Sequence, residues 1–591
     1  MTFSDRARAW AASMARFAQR RGPRRWLTLL LVVLGLSWLA VLAADGYAEW
    51  LWFAQLGHTD VLLTRWLVSA ALLMAIGGLS LAGLWGNLAL AHRFTSEPPR
   101  PAASRLDSEL QALLEQVSAS LGDTEPTRSA ALRADAPPQS PHWFDFALHA
   151  ACVLIALAFG LTAIGSVENL LRWLNGRPFG VPDPIFGRDV AFSIFALPLL
   201  RPLVTWLGLL VLLTAGAVGI VYGRGLGAQS QLGGPSGEPL MLRLSRAQRT
   251  HVASLGAALL VALALAHQVA RADLVFSTRG RAVGIGFPGY ADAQVQAPAY
   301  VVMSAAAVLS AILLVVAAWR GSRRLAWRPV AGYGLVLVGG LLLPLLVQVF
   351  VVLPNDVVLE RPYLEQAIRL TRQAFAVEEV REEPPPPPIS DAASTIDLPL
   401  WSQAAIRSNL NQVQALQPYY AFSTAQVDRY PIGGQPRLVL VGARELNPDG
   451  LPSRAWSTIH LQFTHGYGAA VALAASASPD GGPEWLTDFP TQQPEIYFGE
   501  RTTTYAVVNT SQPEQDVTGR YSGRGIRVGG GLRRLAFALA LRDPSLLLTQ
   551  AITSDSELLY ERQVQDRVRR LAPFLLPEPE AYLVIADGRL V

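Results

Sequence analysis

The densest chemistry in this sequence lies in eleven residues, His460 to Ala470, which read HLQFTHGYGAA. Two histidines, a threonine hydroxyl and a tyrosine in so short a stretch could hold a metal ion or move a proton. Spacing decides between those uses and a structural one. Ile459, Leu461 and Phe463 alternate with His460, Gln462 and Thr464, as in a strand, and a continuous strand sends His460 and His465 to opposite faces. In a helix the two rings stand about 140° apart around the axis. Neither arrangement resembles the HExxH pattern, in which two histidines share one helical face. His460 and His465 are therefore weak metal candidates, and no metal is assigned. Gly466 and Gly468 flank Tyr467 as residues of a tight turn do. The expectation is a strand, 458–465, entering a structured turn in which His465 and Tyr467 are potential hydrogen-bond partners.

Carboxylates form the second constellation. Glu495, Tyr497, Glu500 and Arg501 surround the stretch PEIYFGE, Arg444 and Glu445 close an apolar run, and Asp428, Arg429 and Tyr430 follow YYAF. Glycoside hydrolysis uses two carboxyl groups about 5–10 Å apart, and Glu445, Glu495 and Glu500 could supply such a pair. His465 completes the set of catalytic candidates. The competing reading is charged pairing at strand ends, which is commoner. No P-loop, GxSxG elbow or dinucleotide fingerprint stands between a strand and a helix, and no cofactor is expected. The single cysteine, Cys152, lies in an apolar run, which excludes an intramolecular disulfide and a cysteine-based zinc site.

The elements that must position these residues are set by hydropathy. Of 591 residues, 51% are hydrophobic and 16% charged, whereas soluble domains carry about a quarter charged residues. Seven apolar segments reach spanning length, about 20 residues for a hydrocarbon core of about 30 Å: 26–44, 67–91, 146–165, 202–222, 251–270, 299–319 and 332–353. The first follows four arginines and resembles a signal peptide at its start, but its apolar run is long and further spans follow, so it is read as retained. Every basic residue is arginine. The N-terminus to Arg25 and the loops at 92–145, 223–250 and 320–331 hold 20 of them, against 8 in the alternate loops. That asymmetry places the N-terminus in the cytoplasm and the chain after Leu353 outside it. Arginines beside apolar runs mark orientation in a bilayer, and no nucleic-acid partner is expected. None of the seven segments contains Asp or Glu; His149 and His267 are among the ionisable residues within them. Acid-free spans weigh against coupled transport.

Between the spans, leucines at helical spacing predict an amphipathic cytoplasmic helix over 104–121, followed by a linker over 122–142. After the last span, LERPYLEQAIRLTRQAF (359–375) predicts a helix with Pro362 in its first turn. Pro384 to Pro388 then form a stiff spacer, so 354–399 reads as helix and linker. Residues 400–591 mix strands (437–445, 458–465, 502–510) with a helix over 557–574, whose stripe is Leu559, Val564, Val568 and Leu571. The fold class is thus a membrane all-α bundle of seven transmembrane helices followed by an extracytoplasmic α+β domain. Near the end, AYLVIADGRLV carries Asp587-Gly588, a two-residue hairpin signal, with three residues after it. The expectation is that the chain is the front part of a longer protein.

Several blocks, among them FGRDVAFSIFALPLL, ERPYLEQAIRLTRQAF, YYAFSTAQVDRY, LVGARELNPDGLPSRAWSTIHLQFTHGYG, PEIYFGE and RVRRLAPFLLPEPEAYLVIADGRL, resemble Uncharacterised Protein Family 0182, a group of large bacterial multi-pass membrane proteins. The resemblance runs from about 166 to the last residue. It implies seven spans and a large extracytoplasmic region that continues past the hairpin. It implies no activity, cofactor or catalytic residue. Three readings compete: an anchored extracytoplasmic binding or scaffold module of the cell membrane, with an envelope protein or glycan as partner besides the bilayer; an extracytoplasmic enzyme acting on glycan, lipid or peptide; and lipid or small-molecule transport. The first of these, a non-enzymatic reading, leads; oligomeric state is not decided by the sequence.

Overall fold

Long apolar runs without internal polar partners satisfy their backbone in lipid only as helices, and among the described residues there are seven helical runs long and apolar enough to cross a membrane. They are carried by α1 (Gly22–Leu56), α2 (Thr59–Ser96), α3 (His142–Ile164), α4 (Leu197–Gln231), α5 (Arg246–Asp273), α6 (Ala297–Arg320) and α7 (Arg323–Val347); α8 (Asp356–Ala374) follows α7 through a short π and 3₁₀ passage. In this computed structural model the described residues are 22–96, 142–231, 244–282, 285–381, 383–384, 398–486, 493–517, 519–578, 581–586 and 589–590. The amphipathic helix expected at 104–121, almost all of the linker at 122–142, the proline run after Pro384 and the Asp587-Gly588 turn lie outside them.

The number of long apolar helices matches the hydropathy reading, but the helices run beyond the expected segments. The helical run containing 299–319 starts at Ala291, and the one containing 332–353 continues to Ala374. The acid-free reading therefore holds only for the segments as first drawn, since the extended helices carry Asp292 and Glu360. Pro362 is also displaced, because α8 begins at Asp356 and the proline lies inside it.

The chain divides into two compact units, 65–383 and a second made of 1–64 with 384–591. In the first, helices approach closely where side chains are smallest. A Cβ on Gly160 of α3 would stand 2.8 Å from the Leu73 carbonyl of α2, so only glycine fits that crossing. Polar side chains link the helices: Trp206 Nε1 donates to Ser80 Oγ at 2.9 Å, and His251 bridges Tyr222 Oη (2.7 Å) and Asn87 Oδ1 (3.0 Å). His267 pairs with Tyr333 Oη at 3.0 Å, and His149 with the Asp145 carbonyl at 2.6 Å. Ser245 and Gln248 form a capping box that starts α5. A hairpin, β1 (Gly280–Ala282) with β2 (Ile285–Phe287), lies in the loop before α6.

The second unit holds the remaining strands: β3 (Tyr420–Ala421), β4 (Gln426–Ile432), β5 (Gln435–Ala443), β6 (Glu445–Leu446), β7 (Gly466–Tyr467), β8 (Ala469–Ala477), β9 (Pro483–Trp485), β10 (Glu495–Ile496), β11 (Ala506–Val508), β12 (Ile526–Arg527), β13 (Glu557–Leu559), β14 (Ile585–Ala586) and β15 (Arg589–Leu590). An antiparallel sheet of order β4-β5-β8-β9 is its largest, with Val441 opposite Val471. Strand alternation splits its apolar residues between two faces: Leu440 packs with Ile406, Leu410 and Phe422, while Val439 and Val441 pack with Val471, Tyr430 and Ile585. A second sheet of order β11-β13-β12 faces the helices α9 (Gly531–Ala540), α10 (Ser545–Leu548) and α11 (Val564–Leu571). Its core includes Phe537, Leu546, Val507, Ile526 and Leu558, and the end of α1 completes it: Trp52 and Phe53 have no exposure at all. Upstream, Leu29 to Leu42 of α1 present exposed apolar side chains.

Two expected elements are corrected. The stretch 458–465 is not a strand. Thr458–Gln462 is a π-helical turn, with the Phe463 N–H donating to the Thr458 carbonyl at 2.9 Å. Trp456 and Leu461, five residues apart, pack on the same core cluster, and a turn closed by an i to i+5 bond brings such residues to one side. Likewise 557–574 is not one helix. Leu558 and Leu559 are both buried within the central strand of the small sheet, and the helix starts only at Val564.

Candidate functional site

At the end of β5 the chain leaves the large sheet, passes Arg444 and enters β6, which pairs with β3. That switch buries two charged side chains in succession. Arg444 donates to the carbonyls of Gln414 (2.9 Å) and Tyr467 (2.8 Å), and its guanidinium lies 5.6 Å from the Phe422 ring. Glu445 is 4% exposed. Its Oε1 accepts from the Ser423 hydroxyl (3.1 Å) and its Oε2 from the Arg501 backbone N–H (3.0 Å). The chain at Gly499 lies flush against this carboxylate, since a Cβ there would come within 2.3 Å of Oε2.

Glu500 adjoins this pair. Its Oε2 accepts from Gln563 Nε2 at 3.1 Å, and its buried Oε1 has no hydrogen-bond partner among the described residues. Burial, and next the charge of Glu445, push the Glu500 carboxyl above the ordinary glutamate value. Two carboxyls in such environments are the arrangement that separates an acid from a base. Glu445, however, is sealed by the fold and both its oxygens already hold donors. Glu495 lies half-buried on β10 opposite Tyr467, and its charge is felt at Tyr497.

The two histidines of the opening stretch do not meet. His460 stacks on the Tyr505 ring, centroids 4.0 Å apart, and its Nδ1 lies 2.8 Å from the Tyr505 carbonyl. Burial lowers its pKa. His465 is 3% exposed; its Nδ1 faces the Gly466 carbonyl at 2.8 Å, so that nitrogen is the donor, and its buried Nε2 is unpartnered among the described residues. The expected hydrogen bond to Tyr467 is replaced by this carbonyl contact, and the nearer aromatic ring is Tyr497, at 5.0 Å. Among the described residues no group of three or more His, Cys, Asp or Glu could hold a metal ion.

Sequence reasoning missed the residue at the centre. Arg562, 2% exposed, donates to the carbonyls of Tyr497 (2.8 Å), Thr504 (3.1 Å) and Thr464. Burial pulls its guanidinium down to about 10. Glu514 joins the network, accepting from the hydroxyls of Thr464 and Tyr497, the latter at 3.0 Å. Burial and the Glu514 charge push the Tyr497 phenol upward. In the sequence Arg562 lies in the stretch read as a helix over 557–574, off the stripe of Leu559, Val564, Val568 and Leu571. The network ties the segments at 464, 497, 504 and 562 together through charged and polar hydrogen bonds, a structural task first.

A separate buried cluster lies in the helical unit, also missed because the expected spans stopped short of it. Asp292 is fully buried; its Oδ2 accepts from Ser277 Oγ (2.7 Å) and the Gly289 N–H (3.2 Å), and its Oδ1 lies 3.1 Å from Arg279 Nη1. Glu360, 5% exposed, accepts from the Tyr290 N–H at 3.2 Å and packs on Gly289, where a Cβ would stand 2.5 Å from its Oε2. Beside the cluster is a cleft of about 410 Å³, lined by Ser277, Thr278, Phe287, Tyr363 and Gln366 among others.

A family model described as an uncharacterised protein family, UPF0182, matches residues 26–591. The chain belongs to that family. A UPF0182 protein of Cupriavidus necator is 33% identical over 612 residues, covering 98% of this chain and 63% of the relative. One from Leifsonia xyli is 29% identical, covering 98% of this chain and 58% of its own length. One from a Synechococcus strain is 34% identical over 74% of this chain and 57% of the relative. The chain thus spans less than two thirds of the length of these UPF0182 relatives. No solved structure matches it.

Proposed function

We propose that this UPF0182 chain is a multi-pass protein of the cell membrane, N-terminus cytoplasmic, whose strand-bearing unit is an extracytoplasmic binding or scaffold module. The observation that carries the reading is the construction of that unit around the end of α1. Trp52 and Phe53 sit in the same core as Val507, Phe537 and Leu558, which supports reading the first apolar helix as an anchor that is also a core element. A unit built on the end of a spanning helix is held at a fixed height and angle over the bilayer, as suits a module that presents a surface to an envelope protein or glycan. The exposed apolar belt of α1 suits lipid, and the arginine asymmetry supports this orientation.

Reporter fusions test the topology. Alkaline phosphatase fused after Glu383 is expected to be active, and a fluorescent protein that folds only in the cytoplasm, fused at the same point, to be dark. The reverse pattern would sink the orientation. An enzymatic reading is favoured by one observation, the raised Glu500 carboxyl beside Glu445. It requires that Glu500→Gln abolish complementation of a gene deletion while the protein still accumulates in the membrane. The scaffold reading requires that complementation survive.

A further inference from the structure

We infer that α9, α10 and the arginines around them lie in the lipid–water interface of the outer leaflet and bind an anionic phospholipid surface. The inference rests on the reading of α1 as a spanning helix and adds a second membrane contact to it.

Depth follows from helix geometry. A hydrocarbon core of about 30 Å takes about 20 residues at about 1.5 Å each. Counted from the interfacial Trp26, that length ends at about the first charge, Asp45. The last turns of α1 inside the core are therefore Ala40 to Ala44. Alongside them runs α9. Ala40, Ala43 and Ala44 on α1 and Leu532, Leu535 and Leu539 on α9 line an apolar groove of about 290 Å³. A helix packed there is fixed at the depth where acyl chains give way to headgroups.

The exposed residues of the segment suit that depth. Leu532 is 72% exposed and Leu548 79%, and Leu535 and Leu547 also project. Water would penalise this leucine cluster, and acyl chains would not. Phe537, on the other side of α9, is buried in the unit's core. Arg534 fixes α10 against α9 by donating to the carbonyls of Leu546, Leu547 (3.1 Å) and Thr549, so the leucines of both helices are held as one surface. Between 520 and 550 there are six arginines and one acid, Asp543. That carboxylate already accepts from Trp456 (2.7 Å), Tyr505 (2.5 Å) and the Ser545 N–H (2.9 Å). Arg524, Arg527, Arg533 and Arg542 are exposed. Arg520 pairs with Asp555 at 3.5 Å and Arg527 stands opposite Glu557 on β13; leucines beside the other exposed arginines suit a helix that lies in an anionic interface, with the arginine stems reaching up to phosphates.

The test uses the full chain in nanodiscs. Cys152 is buried, so spin labels can be placed singly at Leu532→Cys and Leu548→Cys, with Leu36→Cys in α1 as the membrane reference and Arg429→Cys as the aqueous one. In phosphatidylglycerol discs, the ratio of oxygen to nickel-chelate accessibility at 532 and 548 is expected several-fold above that at 429. The ratio is expected to fall in pure phosphatidylcholine. If 36 is immersed and 532 and 548 are aqueous, the inference fails and the spanning helix stands. If 36 is itself aqueous, both fail. Equal immersion in the two lipids overturns the assignment to anionic lipid. Dipolar broadening between labels at 548 assigns the surface to a second copy of the chain instead.

Discussion

Truncating Trp52 on α1 is expected to loosen a sheet whose strands begin more than 450 residues later in the chain. The side chain has no exposure. A buried tryptophan removes about 200 Å² from water, and at about 25 cal/mol/Å² this gives about 5 kcal/mol as an upper figure. Measured Trp→Ala changes in cores fall at about 3–5 kcal/mol. The guanidiniums of Arg567 and Arg570 lie 5.7 Å from its ring and lose that partner as well. Such a loss is a large part of a domain's whole stability of about 5–15 kcal/mol. It corresponds to roughly a hundredfold to several-thousandfold faster exchange of the most protected amides, at one decade per about 1.4 kcal/mol. Hydrogen exchange with mass spectrometry, on detergent-solubilised full chain, reads Val507 and Leu558 directly. Trp38→Ala is the control: Trp38 is 64% exposed, and its loss is expected to leave those amides unchanged. Trp52→Phe is expected to be mild, because the indole N–H has no hydrogen-bond partner among the described residues. If Trp52→Ala leaves exchange at 507 and 558 unaltered, α1 is not a core element of this unit, and the fixed mounting of the module goes with it.

Three further outcomes follow from the buried groups. Arg562→Met leaves three buried carbonyls without their donor; at about 1–3 kcal/mol for each unsatisfied group, Tm should fall sharply, and an unchanged Tm would refute the central role given to this residue. Glu500 has a raised folded pKa, so its folded form binds the proton more tightly than the unfolded chain; the associated stability is present at low pH and is lost as pH rises from 4.5 through the folded value. Glu500→Gln should flatten that part of a Tm-against-pH curve, and a curve of unchanged slope argues against a carboxyl raised by burial and by Glu445. His460 has a lowered folded pKa, so its contribution is present above 6.5 and is lost as pH falls through the folded value; the acid loss of stability should shrink in His460→Gln, seen in the same titration.

The sequence by itself determined the number of long apolar helices and their division from a later region that mixes strands and helices. Both follow from local hydropathy, which needs no partner to be read. The strand-like pattern at 437–445 also located β5 (Gln435–Ala443), and the structure buries Leu440 on one face of it and Val439 and Val441 on the other. Tertiary structure decided what local pattern could not. The alternation at 458–465 satisfied a strand until Trp456 and Leu461 had to reach one core together. Asp292 and Glu360 became a buried cluster only when two helices proved longer than their apolar segments. Glu445 came to act on Glu500 because β6 and the loop at 499–501 converge from chain positions about 55 residues apart. Arg562 gave no sign at all, since its three acceptors are backbone carbonyls contributed by distant segments. A side chain's partners along the chain are written in the sequence, whereas partners brought together by folding exist only once the whole unit has closed around them.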